Sequence, residues 1–285
     1  MDTDGITTPN QKKVIVVNPH GFCVGVARAI DTIETALKLF PTPLYCFNQI
    51  VHNRQIVEDL TSRGVVFVQA INDVPPETTL LFSAHGISPE VREAAKKRKL
   101  NVIDATCPFV AKVHNEVIKY RNKDYTILLI GHRNHDEVKG VAGEAPNHVI
   151  VIENEEDAKK VAPKNPDRVA VVTQTTLARD KTSSIFDILK KRFPGIKTPV
   201  GHGICYATTN RQFAVRELAK KVNIILVLGS RNSSNSNRLV EVSLESGCPA
   251  VLINSNSALK DAIPPEATTI GLTSGASTPE LFLES

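Results

Sequence analysis

The sequence predicts an α/β fold of three similar units, with mostly parallel sheets set around a pseudo-threefold axis that leads to one central site. Three observations predict it. Short β-branched apolar runs alternate with helical patterns along the chain, three Cys each open a helix, and polar loops recur after each Cys at nearly constant offsets.

The strand-like runs are 14–17, 65–68, 80–82, 126–130, 149–152, 169–172, 224–228, 250–253 and 268–272. Helical patterns such as 24–39 and 108–121 lie between them. Strands that alternate with helices give parallel sheets covered on both faces. Cys23, Cys107 and Cys205 begin three helical segments, the second marked by Pro108 at its first position, a helix-start signal. A first polar loop carries His52, His135 and Ser233, which lie 29, 28 and 28 residues after their Cys. A second carries His85, Thr175 and Ser277, at offsets of 62, 68 and 72. This is a structural repeat with little residue identity. It divides the chain into units at 13–106, 107–199 and 200–285, after a polar tail, 1–12, expected to be disordered.

The bulk composition excludes several function classes. The 285 residues are 41% hydrophobic and 22% charged, as in ordinary globular proteins. No apolar run reaches the length of a membrane span. The polar start carries neither a secretory core nor an Arg-rich transit pattern, so a cytoplasmic protein is expected. Net charge is only +4 and Trp is absent, which argues against nucleic acid as a partner. The basic stretch 96–99 reads as a helix C-terminus, where cations suit the dipole. Five Cys without a C-x-x-C pair argue against a disulfide framework.

In open α/β sheets, ligand groups gather beyond the C-terminal ends of strands. Each repeated Cys, and each polar loop, follows a strand. Three matched thiols without a fourth, and separated by 84 and 98 residues, do not suit a structural zinc site. They suit a [4Fe–4S] cluster with one iron left open, and the helix starts favour thiolate. Cys46, inside the apolar run 44–47, and Cys248 read as structural. The Ser- and Asn-rich run 230–237 leads into a helix expected over 238–245, and hydroxyls, amides and N–H groups at a helix start form an anion cradle. His52, His85 and His135 stand at equivalent strand ends and can donate to phosphate oxygens. His114 and His132 read as structural. Glu137, on the His135 loop, is the candidate general acid: a carboxyl near an anion and away from water has a raised pKa. Asp136 is its competitor, and alternation along the loop favours Glu137. Thr175 and Thr208 are candidates to position the proton.

At these motifs the sequence closely resembles the LytB family, the 4-hydroxy-3-methylbut-2-enyl diphosphate reductases. The resemblance rests on Gly21-Phe22-Cys23, Val51-His52-Asn53-Arg54, Ser83-Ala84-His85-Gly86, Asp104-Ala105-Thr106-Cys107-Pro108 and Gly131-His132 with His135 and Glu137-Val138. It continues through Thr173-Gln174-Thr175-Thr176, Ile204-Cys205-Tyr206-Ala207-Thr208-Thr209-Asn210-Arg211-Gln212, Asn232-Ser233-Ser234-Asn235-Ser236-Asn237 and Gly275-Ala276-Ser277. It implies one [4Fe–4S] cluster per chain on Cys23, Cys107 and Cys205, with the substrate alcohol on the open iron. It implies a diphosphate held by His52, His85, His135, Ser233, Ser234, Asn235 and Ser277, with Thr175 and Thr208 also at the substrate. Glu137 with Thr175 would deliver the proton that lets hydroxyl leave as water. The products would be isopentenyl and dimethylallyl diphosphates, the last step of non-mevalonate isoprenoid synthesis, with electrons from a ferredoxin- or flavodoxin-type donor. The sequence departs from the family pattern at His20, where Arg is frequent, and at Asp136, where Pro is common. It also ends eight residues after Ser277. Two alternatives stand beside this reading. One is another three-Cys cluster enzyme, similar to quinolinate synthase, which needs Arg for a dicarboxylate where this chain has Ser and Asn. The other is a non-catalytic iron–sulfur sensor, which has no need of Glu137.

Overall fold

A computed structural model describes residues 12–199, 203–254 and 262–280. Residues 1–11 of the expected tail, and His202, lie outside the described residues. In chain order the elements are β1 (Lys13–Val16), α1 (Val24–Leu39), β2 (Leu44–Phe47), α2 (Arg54–Ser62), β3 (Val65–Val68), β4 (Thr79–Phe82), α3 (Pro89–Lys97), β5 (Asn101–Asp104), α4 (Pro108–Arg121) and β6 (Thr126–Ile130). They continue with α5 (Asp136–Gly143), β7 (Val149–Ile152), α6 (Glu155–Lys160), β8 (Val169–Thr173), α7 (Arg179–Arg192), α8 (Tyr206–Ala219), β9 (Ile224–Leu228), α9 (Ser234–Glu245), β10 (Ala250–Ile253) and β11 (Thr269–Ser274).

The strands form three sheets, in the orders β3-β2-β4-β5, β7-β6-β8 and β1-β11-β9-β10. Every ladder is parallel, as the alternation requires. The chain divides into two compact units: 22–209, which holds the first two sheets, and 1–21 with 210–285, which holds the third. One strand departs from the expected boundaries. Residues 14–17, read as the start of the first repeat, belong to the third sheet, where β1 pairs with β11 in the register Val14↔Ile270.

Buried two-sided sheets need apolar residues on both faces, and the central strands supply them. In β6, Leu128 and Ile130 enter one apolar cluster while Ile127 and Leu129 enter another. All four are at most 1% exposed, and burying each is worth roughly 1.5–3 kcal/mol. Strand β2 alternates likewise, with Leu44 and Cys46 on one side and Tyr45 and Phe47 on the other. Cys46 and Cys248 both pack in apolar clusters, as expected. Burial raises both thiol pKa values.

Two strands are absent from the expected set. Strand β2 coincides with the apolar run 44–47 that holds Cys46. Strand β5 is an edge strand with exposed Asn101, Val102 and Asp104, so little apolar signal marks it.

Candidate active site

Within the unit 22–209 the three Cys converge. Cys23 is the N-cap of α1, and its Sγ accepts a hydrogen bond from the Val26 N–H at 3.4 Å. Cys107 is the N-cap of α4, followed by Pro108. Cys205 precedes α8 and its Sγ accepts from the Thr208 N–H at 3.4 Å, with the Thr208 hydroxyl 3.1 Å away. Gly25 shows how closely two of them approach. A Cβ added there would lie 2.4 Å from Cys107 Sγ and 3.9 Å from Cys23 Sγ. Burial raises the Cys107 and Cys205 pKa values, and Cys23 acts on both by charge repulsion. Facing N–H groups oppose the shift at each. At both thiols desolvation outweighs the facing donors.

Backbone bonds tie the Cys to the polar loops. The Cys107 N–H donates to Ala84 O, beside His85, at 3.0 Å. The Cys205 N–H donates to Thr175 O at 3.1 Å. Thr175 in turn holds Glu137. Its N–H donates to Oε1 at 2.7 Å and its hydroxyl to Oε2 at 3.0 Å. Glu137 is 2% exposed. Burial pushes its pKa up to about 7, against the two Thr175 bonds that favour the carboxylate. A carboxyl near half-protonation at neutral pH is suited to proton transfer.

Asp136 and Glu137 do not lie on an extended loop. They open α5, capped by His135, whose Nδ1 accepts the Glu137 N–H at 3.2 Å. Helical rotation rather than strand alternation separates the two carboxyls. Glu137 turns inward, and Asp136 Oδ2 comes 3.9 Å from His52 Nε2.

The three expected His do meet. The His52 and His85 rings stack at 4.0 Å, and the His135 ring stands edge-on to them at 5.2 and 5.8 Å. Because His135 Nδ1 accepts a backbone bond, its neutral ring carries the proton on Nε2. Burial lowers the pKa of all three. His52 is lowered against the pull of Asp136, His85 falls well below the usual range, helped by the other two rings, and His135 falls to about 3. Neutral rings in this cluster are donors that an anion would draw toward the charged form.

In the other unit, Ser233 is the N-cap of α9 and accepts the Ser236 N–H at 3.3 Å. The helix begins at Ser234, four residues earlier than 238, because this cap turns the polar run into its first turn. Asn235 Oδ1 accepts the Ala276 N–H at 2.9 Å, which joins the α9 start to the loop bearing Ser277. Ser233, Asn235 and Ser277 are all buried.

Sequence reasoning missed several supporting residues. Gln174 binds the two loops beside Glu137: its Oε1 accepts the His132 N–H at 3.0 Å, and its Nε2 donates to Thr176. His114, read as structural, is buried and pairs with Glu144 at 2.8 Å; what went unread is this partner, which Arg92 also binds. The His114 ring packs under Gly86, where a Cβ would lie 2.6 Å from Nε2 and φ is +74°. Arg211 donates to the carbonyls of Pro19 and Gly21 at 2.6 and 2.8 Å. Gln174 and Arg211 stood in motifs that could have pointed to them, whereas nothing in the His114 or Glu144 spacing did.

The LytB protein family model matches residues 14–285. A Mycobacterium bovis protein named 4-hydroxy-3-methylbut-2-enyl diphosphate reductase 1 is 46% identical over 276 residues, covering 96% of this chain and 82% of the relative. A Neisseria meningitidis reductase of the same name is 46% identical over 275 residues, covering 96% and 85%. The solved structure of the Plasmodium falciparum E-1-hydroxy-2-methyl-but-2-enyl-4-diphosphate reductase superposes with a TM-score of 0.93 at 44% identity, covering 96% of this chain and 88% of that one. A second, described as the terminal enzyme of the non-mevalonate pathway, gives 0.68 at 33% identity, covering 96% and 97%. These matches do not favour the quinolinate-synthase-like and sensor alternatives. With three Cys at helix starts, three meeting His and a buried Glu at the motif positions, the chain belongs to the LytB family.

Proposed function

We propose that this chain reduces (E)-4-hydroxy-3-methylbut-2-enyl diphosphate to isopentenyl and dimethylallyl diphosphates, as an oxidoreductase of the non-mevalonate pathway. Family membership over nearly the whole chain supports the substrate. The observation that carries the chemistry is the buried Glu137, tied through Thr175 to Cys205.

The donor set fits an iron–sulfur cluster. Cys23, Cys107 and Cys205 are soft ligands drawn together in a desolvated place, and Gly25 leaves clearance for sulfur where any side chain would intrude. They would hold one [4Fe–4S] cluster. When bound, it supplies electron transfer and a Lewis-acidic iron without a protein ligand. The remaining work belongs to the chain. His52, His85 and His135 donate to diphosphate oxygens, His135 through Nε2–H. In the other unit, Ser233, Ser234 and Asn235 lie at the start of a 12-residue helix whose dipole favours anions, and Asn235 is tied to the loop that bears Ser277. Thr208, against Cys205, and Thr175 flank the substrate. Glu137, its pKa raised to about 7 by burial, gives its proton to the departing hydroxyl. The allylic C–O bond breaks, water leaves, and two electrons with a second proton complete the new C–H bond. The electrons come from a small ferredoxin- or flavodoxin-type protein. Among the described residues no helix is long and apolar enough to cross a membrane. The place proposed for this biosynthetic reaction is the cytoplasm.

The test is iron and sulfide content with electron paramagnetic resonance on anaerobically purified protein, with and without the hydroxymethylbutenyl diphosphate. About four irons per chain and a spectrum altered by the ligand support the proposal. Stoichiometric zinc without sulfide would end it.

A further inference from the structure

Asp136 is not used by the proposed reaction, yet it faces the stacked histidines. One ligand atom each from His52, His85 and Asp136 lie within 4.8 Å of one another. The His52 Nε2 to Asp136 Oδ2 separation of 3.9 Å is close to the spacing of about 3.4 Å between two ligands of a tetrahedral cation with bonds near 2.1 Å. Asp136 is on the first turn of α5 and partly exposed, so its carboxylate can take up the remaining distance.

We propose that His52, His85 and Asp136 form a binding site for one divalent transition-metal cation of the Zn²⁺ type, and that this cation and the diphosphate exclude each other. Two imidazoles and a carboxylate are a borderline-hard donor set, unlike the three thiols. The carboxylate, 3.9 Å from His52 Nε2, supplies compensating charge. Ser83 supports the geometry: its hydroxyl lies 3.4 Å from His85 Nδ1 and orients that ring, as partners outside the ligand set do in metal sites. His135 stands apart because its Nδ1 already accepts the Glu137 N–H. Exclusion follows from the nitrogen chemistry. A ring nitrogen that binds a cation uses its lone pair, whereas one that binds a phosphate oxygen must carry a proton. The same atoms cannot do both. The cation thus occupies the ligand-free protein and acts as a competitive inhibitor. The metal site stands on the geometry alone, while the exclusion rests on the diphosphate reading.

The experiment uses anaerobic, cluster-loaded protein equilibrated with zinc chloride, desalted, and assayed for zinc and iron. One zinc per chain is expected with iron unchanged. Asp136→Asn should weaken zinc binding at least ~10-fold. Rising inorganic pyrophosphate should displace the zinc, and zinc should raise the apparent KM for substrate at constant kcat. No retained zinc, zinc held equally by Asp136→Asn, or zinc gained only as iron is lost would each overturn the metal site. Zinc that needs Asp136 but survives saturating pyrophosphate would overturn the exclusion and leave the metal site standing.

Discussion

Removing the Thr175 hydroxyl should move the titration of Glu137 without touching the carboxyl itself. That hydroxyl donates to Oε2 at 3.0 Å, and the Thr175 N–H donates to Oε1 at 2.7 Å. Both bonds favour the carboxylate, while burial favours the acid, and the balance stands at about 7. Thr175→Val deletes the side-chain bond and keeps the backbone one. A hydrogen bond to a charged group is worth ~1.5–3 kcal/mol, or about 1–2 pKa units at 1.36 kcal/mol each. The neutral acid also loses a contact, so the lower end, about one unit, is expected. A pKa moved from about 7 to about 8 raises the protonated fraction at pH 8 from about one tenth to about one half. If Glu137 is the acid, activity falls as pH rises through its pKa, and that limb should shift upward by the same unit. The assay is the pH dependence of kcat and kcat/KM, run anaerobically with reductant in excess. Thr175→Ser, which keeps the hydroxyl, should leave the limb in place. A limb that does not move in Thr175→Val, or moves to lower pH, refutes the coupling and with it the role of Glu137.

Other outcomes follow from the same geometry. Glu137→Gln should keep iron, sulfide and ligand-induced spectral changes while turnover falls ~10²–10⁴-fold, measured by steady-state kinetics. Gly25→Ala should lower iron and sulfide content, because its Cβ would press within 2.4 Å of Cys107 Sγ, and metal analysis reads this directly. Cys46→Ser and Cys248→Ser should retain full iron, since both pack in apolar clusters away from the helix starts. His135 has a folded pKa of about 3 against 6.5 unfolded, so below 6.5 the unfolded chain binds more protons and stability falls as pH falls. The slope is about 1.4 kcal/mol per pH unit, so by pH 5 its share of the loss is about 2 kcal/mol. Urea midpoints of the wild type and His135→Asn between pH 5 and 7 should diverge accordingly.

The parts of this site that the sequence displayed are those written in local order. A Cys at a helix start followed by Pro108 or a Val-Gly-Val run is a local signal, and its recurrence at matched offsets marked out the three thiols and three His. Strands β6, β8 and β9 were equally legible, because they are buried almost throughout and so nearly continuously apolar. What stayed hidden depends on distant partners. Strand β1 reads like any first strand, but its hydrogen bonds go to β11, more than 250 residues away. Asp136 and Glu137 are neighbours in sequence, and only the cap at His135 decides that they start a helix and diverge. The His114–Glu144 pair has no spacing signal, since it joins α4 to the end of α5.

That divergence carries a wider argument about the acid. Two adjacent carboxyls at a helix start would ordinarily both be ionised, since the dipole there stabilises negative charge. Here one is 2% exposed with its pKa raised to about 7, while the other has a 23% exposed side chain and faces His52. Desolvation thus overrides the dipole for Glu137, by an amount that the two Thr175 bonds limit. The helix start sends one carboxyl to the protected place, where it can keep a proton at neutral pH. It leaves the other on the histidine side, partly exposed and outside that enclosure. Exchanging Asp136 for Glu would place a longer carboxylate among the rings, yet it would not replace the acid, because position 136 lacks the enclosure that raises the pKa. The double variant Asp136→Glu with Glu137→Gln should therefore stay as inactive as Glu137→Gln, and recovery of turnover in it would show that enclosure is not what makes the acid.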